Sequence, residues 1–198
     1  MAMTTIDPVA LHRPSSFALP FLAFAIACTL ALLGALAFGD IAYNRTRFTA
    51  WATILLTAPA LVLFILWIGR RPLRGAWLHW WAVGLAMYLI HLWYGFGVML
   101  KASFPVTYAL QGSLVATSNF LLAGVWAISV LVAWFGLAIA WIHVAATLLF
   151  ILSTIGSTVV FGRPPSPWIG AIMIAALGAA TLFRLTRPRH DTVPVSLP

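Results

Sequence analysis

Residues Phe120 to Phe161 read FLLAGVWAISVLVAWFGLAIAWIHVAATLLFILSTIGSTVVF, forty-two positions without one Asp, Glu, Lys or Arg. As a single α-helix this run would be ~63 Å long at ~1.5 Å per residue. That is about twice the ~30 Å hydrocarbon core of a bilayer. The run must therefore fold back on itself. Gly136 is the best hinge, and Trp134 and Trp141 flank it as indoles do at headgroup level. This reading puts two spans at about 119–135 and 138–161.

The rest of the chain fits the same solvent. Of 198 residues, 63% are hydrophobic and 7% charged, against roughly 25% charged in a soluble domain. There is too little polar surface to wet a globule, so lipid is the expected solvent. Further spans are expected at about 17–39, 50–69, 77–100 and 168–185. The expected fold class is all-α, a polytopic membrane bundle of about six helices over residues 17–186, between tails 1–16 and 187–198. A cleaved signal peptide is the competing reading of the first span, because Ala35-Leu36-Ala37 resembles a small-residue cleavage site. The apolar run is longer than a usual h-region, which favours an uncleaved helix. Pro59 predicts a kink in the second span, and Trp51 and Trp67 are expected near its ends. Residues 101–119 are more polar and read as a loop with one interfacial or re-entrant turn of helix opened by Pro105, with Gln111 wet.

The net charge of +8 is spread in small groups between apolar runs, which is how charge fixes membrane orientation and not how it binds nucleic acid. With six spans and a cytoplasmic N-terminus, seven arginines lie inside (13, 70, 71, 74, 184, 187 and 189). Arg45, Arg47, Lys101 and Arg163 lie outside. Five spans would reverse that bias. Both termini are thus expected in the cytoplasm, and a bacterial inner membrane is the expected location.

Acidic residues are scarce. There is no Glu, and the three aspartates are Asp7, Asp40 and Asp191, none at mid-membrane. Proton pumps and carboxylate metal sites lose weight accordingly. Lys101 stands at a helix end, so no Schiff-base lysine lies within the bilayer. The single cysteine, Cys28, is read as a small apolar filler.

The third span, WLHWWAVGLAMYLIHLWYGFGVML from Trp77 to Leu100, carries His79 and His91. Counting rise per residue from the inner face puts His79 and His143 at similar depth, with His91 deeper and about 120° around its helix from His79. His79, His91 and His143 are therefore candidate haem ligands, with Gly84, Tyr88, Tyr94 and Gly95 as a candidate pocket around His91. An ionisable group that deep is a functional hypothesis in its own right. Each histidine also has a plainer reading, as an interfacial residue or as an imidazole bonding a carbonyl or tyrosine across helices. Ferric-reductase-like haem domains share the size and span count, but the fifth span here has one histidine where those have two, and Ser153 to Ser157 fill the second location. The chain is not identified with that family.

Three function classes remain. The first is a non-catalytic subunit or assembly factor of a larger membrane complex. It is suggested by small-residue ridges at Ala23, Ala27, Ala31 and Ala35 and at Ala171, Ala175 and Ala179, where a partner helix can approach closely. The second is a quinone-linked electron-transfer subunit holding b-type haem, which would make the chain part of a membrane oxidoreductase. The third is a channel or carrier for a neutral or apolar solute. Nothing in the spacing argues for a serine nucleophile, a phosphate loop or a dinucleotide fold.

Overall fold

The computed structural model describes residues 14–69, 75–137, 139–160, 162 and 164–186. The expected tails, apart from residues 14–16, and the arginines at 70, 71, 74 and 163 lie outside them. Among the described residues there are seven α-helices and no strand. They are α1 (Pro14–Gly34), α2 (Ile41–Trp67), α3 (Gly75–Leu92), α4 (Phe104–Gln111), α5 (Ser113–Trp134), α6 (Ala140–Ile155) and α7 (Ser166–Thr186). A 3₁₀ turn, Ala35–Ala37, extends α1, and π-helical segments extend α3 (Trp93–Met99) and α6 (Gly156–Val160). Six helices are long and apolar enough to cross a bilayer: Phe17–Ala37, Ile41–Trp67, Gly75–Met99, Ser113–Trp134, Ala140–Val159 and Ser166–Thr186.

The uncharged run folds back at Gly136. That residue has φ +66°, a conformation glycine adopts without a Cβ penalty. Its N–H donates to Ala133 O at 3.1 Å, and Leu137 N–H donates to Val132 O at 2.9 Å. This pair of bonds is the Schellman motif, which satisfies the last carbonyls of α5. Trp134 and Trp141 on either side are exposed.

Two boundaries differ from the sequence expectation. Helix α2 starts at Ile41, not near 50, because Asp40 caps it: Tyr43 N–H donates to Asp40 Oδ1 at 3.0 Å. The polar stretch that follows continues the helix from that cap, with its hydroxyls satisfied on the helix itself. Thr46, Thr49, Thr53 and Thr57 each donate a hydroxyl to the carbonyl four residues earlier, at 2.7–3.0 Å. Trp51 consequently lies in the third turn of α2, not at its end, and its indole donates to Ser166 Oγ at 3.0 Å. Helix α5 starts at Ser113, six residues before the expected 119. The expected loop at 101–119 is thereby reduced to the two-turn α4 and the first turns of α5. Ser103 caps α4 and Pro105 sits in its first turn, as the sequence suggested. Helix α2 runs on through Pro59.

Helix α3 lies at the centre, against α1, α2 and α5. Its inner face carries the fully buried Trp77 and Trp81, which pack with Trp126 of α5 and Phe150 of α6. Gly84 lets α3 close on α2. A Cβ there would overlap Thr57 Oγ1 and press on Trp126. Helix α1 covers the other side of α2 and α3, where Ala31 joins Ala52, Leu56 and Met87. Helix α7 is fixed to α2 at both ends. Arg47 Nη2 donates to Pro164 O at 2.6 Å, and Arg184 donates to Ile65 O and Ile68 O at 2.5 and 2.7 Å. The second contact places a cation at the negative end of the α2 dipole.

Candidate functional site

Polar side chains gather between the helices in two places, one buried and one partly exposed. The first lies where α3, α5 and α6 meet. Trp81 Nε1–H donates to Ser129 Oγ at 3.0 Å, and Ser129 Oγ lies 2.9 Å from His143 Nδ1. The indole can only donate, so Ser129 accepts from it and its own hydrogen is free to pass to Nδ1. The His143 ring meets Trp77 edge-on at 5.2 Å between centroids. All four side chains are buried. The serine and histidine are within reach of each other as a nucleophile and base would be. They are walled by indoles, however, and a hydrolytic site needs water and substrate to reach the oxygen. Trp126 Nε1 and Thr147 Oγ1 are buried in the same half without a partner.

The second place is around His91. Its Nδ1 lies 2.9 Å from Thr46 O on α2. A carbonyl can only accept, so Nδ1 carries a hydrogen and the ring is fixed across two helices. The wider π-helical turn begins two residues later, at Trp93; such turns recur at functional sites. A cavity of about 50 Å³ opens beside the ring, lined by polar Thr46, Thr107, Gln111 and Asn119 and by apolar neighbours including Phe96 and Phe120. Asn119 Nδ2 donates to Gln111 Oε1 at 3.4 Å, and Tyr88 OH donates to Asn119 O at 3.0 Å. A space of this size and polarity suits one or a few waters or a similarly small polar molecule.

The candidate haem residues fall as follows. His143 lies beside Trp77, so the third and fifth spans do bring their histidines to similar depth. Their directions differ. His79 packs edge-on against Phe17 of α1 at 5.1 Å, and residues two apart on a helix point about 200° apart. His143 meets the Trp77 side of α3 and His79 the opposite side, so the two imidazoles do not face one another. Gly84 is occupied by Thr57, and a Cβ on Gly95 would meet Thr46 Cγ2 at 3.3 Å. These glycines bring helices together. Tyr88 lies 5.9 Å from His91, ring to ring, and belongs to the cavity's hydrogen-bond network. Tyr94 instead lies under Arg45, 5.5 Å from its guanidinium carbon. The cavity is far below the ~300–1,000 Å³ of ordinary cofactor pockets. Among the described residues, no three His, Cys, Asp or Glu side chains are grouped to hold a metal ion.

Ser129, Thr46 and Thr107 were not singled out by sequence. For Ser129 there was a signal. It stands seven residues before Gly136, and His143 stands seven after. A hairpin hinged at Gly136 sets such positions at equal depth. For Thr46 the signal required knowing that α2 begins at Asp40.

Comparison with known proteins returns nothing: no family model, curated protein or solved structure matches the chain. The class therefore rests on the fold. Six helices of this length and apolar composition are those of a multi-pass integral membrane protein.

Proposed function

We propose that this chain is a non-catalytic subunit or assembly factor of a larger membrane complex, seated in a bacterial inner membrane with both termini cytoplasmic. One observation carries the reading. The two small-residue ridges have different fates. Ala31 and Ala35 of the α1 ridge are buried within the bundle, with Ala23 and Ala27 half-buried beside them. Ala171, Ala175 and Ala179 of α7 face outward and are exposed along the helix. In lipid, a surface of alanines gains most when another helix backbone packs on it. The excess of arginines on the inner side supports the orientation. Replacing Ala175 and Ala179 by Leu should release a co-purifying membrane protein in mild detergent while the bundle stays folded. A native chain that purifies alone as a monomer contradicts the reading.

A second reading, a binding or passage site for a small neutral solute, is favoured by the cavity that gathers His91, Gln111 and Asn119. Flux in liposomes should fall when these three are replaced together by Ala; undiminished flux contradicts it. Electron transfer through haem draws no comparable support from the facing of His79 and His143. A Soret band in the purified protein would restore it.

A further inference from the structure

We propose that Arg45 and Tyr94 form a binding site for the phosphate of an anionic phospholipid headgroup, between the first turns of α2 and the π-helical end of α3. The proposal rests on the membrane reading but on neither functional reading above. Arg45 is half-buried. Its guanidinium lies over the Tyr94 ring at 5.5 Å, and its Nε is shielded from solvent with no hydrogen-bond partner. A donor left unpaired in this way calls for an explanation, and an ion bound beside the group is one of the recognised ones.

The described residues offer no free anion to fill that role. Asp40 is the only carboxylate among the described residues, and its side chain is engaged by Tyr43 N–H as the α2 cap. Arg47 cannot substitute for it and is already occupied, donating to Pro164 O and lying 4.5 Å over Trp51. Arg45, Arg47 and Lys101 therefore make this end of the bundle positive, with one carboxylate against three cations.

The position suits a headgroup. Arg45 lies in the first turns of a 27-residue helix, where the dipole is positive. Trp93, beside Tyr94, is 65% exposed, as an indole at the lipid interface would be. The terminal Nη groups of a guanidinium offer the paired donors that a phosphate accepts in bidentate fashion. The Tyr94 hydroxyl, on the ring beside the guanidinium, is a further potential donor. A net-negative headgroup is favoured over a zwitterionic one because Asp40 offsets only one of the three cations.

The test is lipid titration of the full chain in detergent, read by native mass spectrometry. Dioleoyl phosphatidylglycerol, dioleoyl phosphatidylcholine and inorganic phosphate serve as separate probes. Phosphatidylglycerol should bind the native chain more tightly than either of the others. R45Q should weaken that binding about ten- to a hundredfold, the usual effect of losing hydrogen bonds to a charged group. R45K, which keeps the charge and loses the fork, should fall between. Y94F should weaken it about two- to tenfold and keeps the test in force should R45Q not fold. Equal binding of both lipids, equal binding by inorganic phosphate, or undiminished phosphatidylglycerol binding by folded R45Q or, failing that, by Y94F, would each overturn the proposal.

Discussion

The two histidine regions of this bundle handle buried polarity in opposite ways. Around His143 three buried side chains are joined in a relay, Trp81 to Ser129 to His143, among packed aromatic rings, and only Trp126 Nε1 and Thr147 Oγ1 nearby lack a partner. Around His91 the ring is fixed to Thr46 O and space remains, lined by amide and hydroxyl groups. The first arrangement suits a structural joint between α3, α5 and α6. The second suits contact with something small and polar. A histidine in a membrane helix is thus not informative by itself; what distinguishes the two is whether the neighbours leave room.

Mutations should separate the two regions, and the largest effect belongs to the closed one. Trp126→Ala removes a fully buried ring that touches Trp81, Tyr88 and Phe150. It should cost about 3–5 kcal/mol, read as a large fall in thermal midpoint in detergent. Gly84→Leu forces a side chain into Thr57 and Trp126. Overpacking of this kind costs typically ~1–3 kcal/mol or more, and here it should lower the yield of folded protein by driving α3 off α2. Ser129→Ala leaves Trp81 Nε1 and His143 Nδ1 unpaired in a buried site, for about 1–3 kcal/mol. Asn119→Ala should cost least, below about 1 kcal/mol, because the cavity lets water take over its bonds. If Ser129→Ala proves no more costly than Asn119→Ala, the contrast between closed and open regions fails.

Much of the fold was legible because lipid imposes simple lengths. The uncharged run was too long for one crossing, and Gly136 stood where it had to turn. Azimuth was harder to read. Counting rise along the helices put His79 and His143 at one depth, but contacts decide which way a side chain points, and Trp77 rather than His79 faces His143. The start of α2 was misread because Asn44, Arg45, Thr46 and Arg47 look like loop residues. A capping aspartate starts the helix before them, and the Thr46 hydroxyl is satisfied on that same helix. The π-helical turn after Leu92 has no signature in hydrophobic periodicity, since Trp93 to Met99 is apolar nearly throughout. The cavity depended on both of these features, and so could be foreseen only as a set of scattered polar residues.

The most direct measurement is labelling by a membrane-impermeant thiol reagent in oriented vesicles, with Cys28 first replaced by Ser. Cysteines are then placed singly at Gln111, Ser129 and Thr186. Six crossings with the proposed cytoplasmic N-terminus predict that position 111 reacts from the outer side only, 186 from the inner side only, and 129 from neither. Labelling of 111 and 186 from the same side, or free labelling of 129, would contradict the bundle described here.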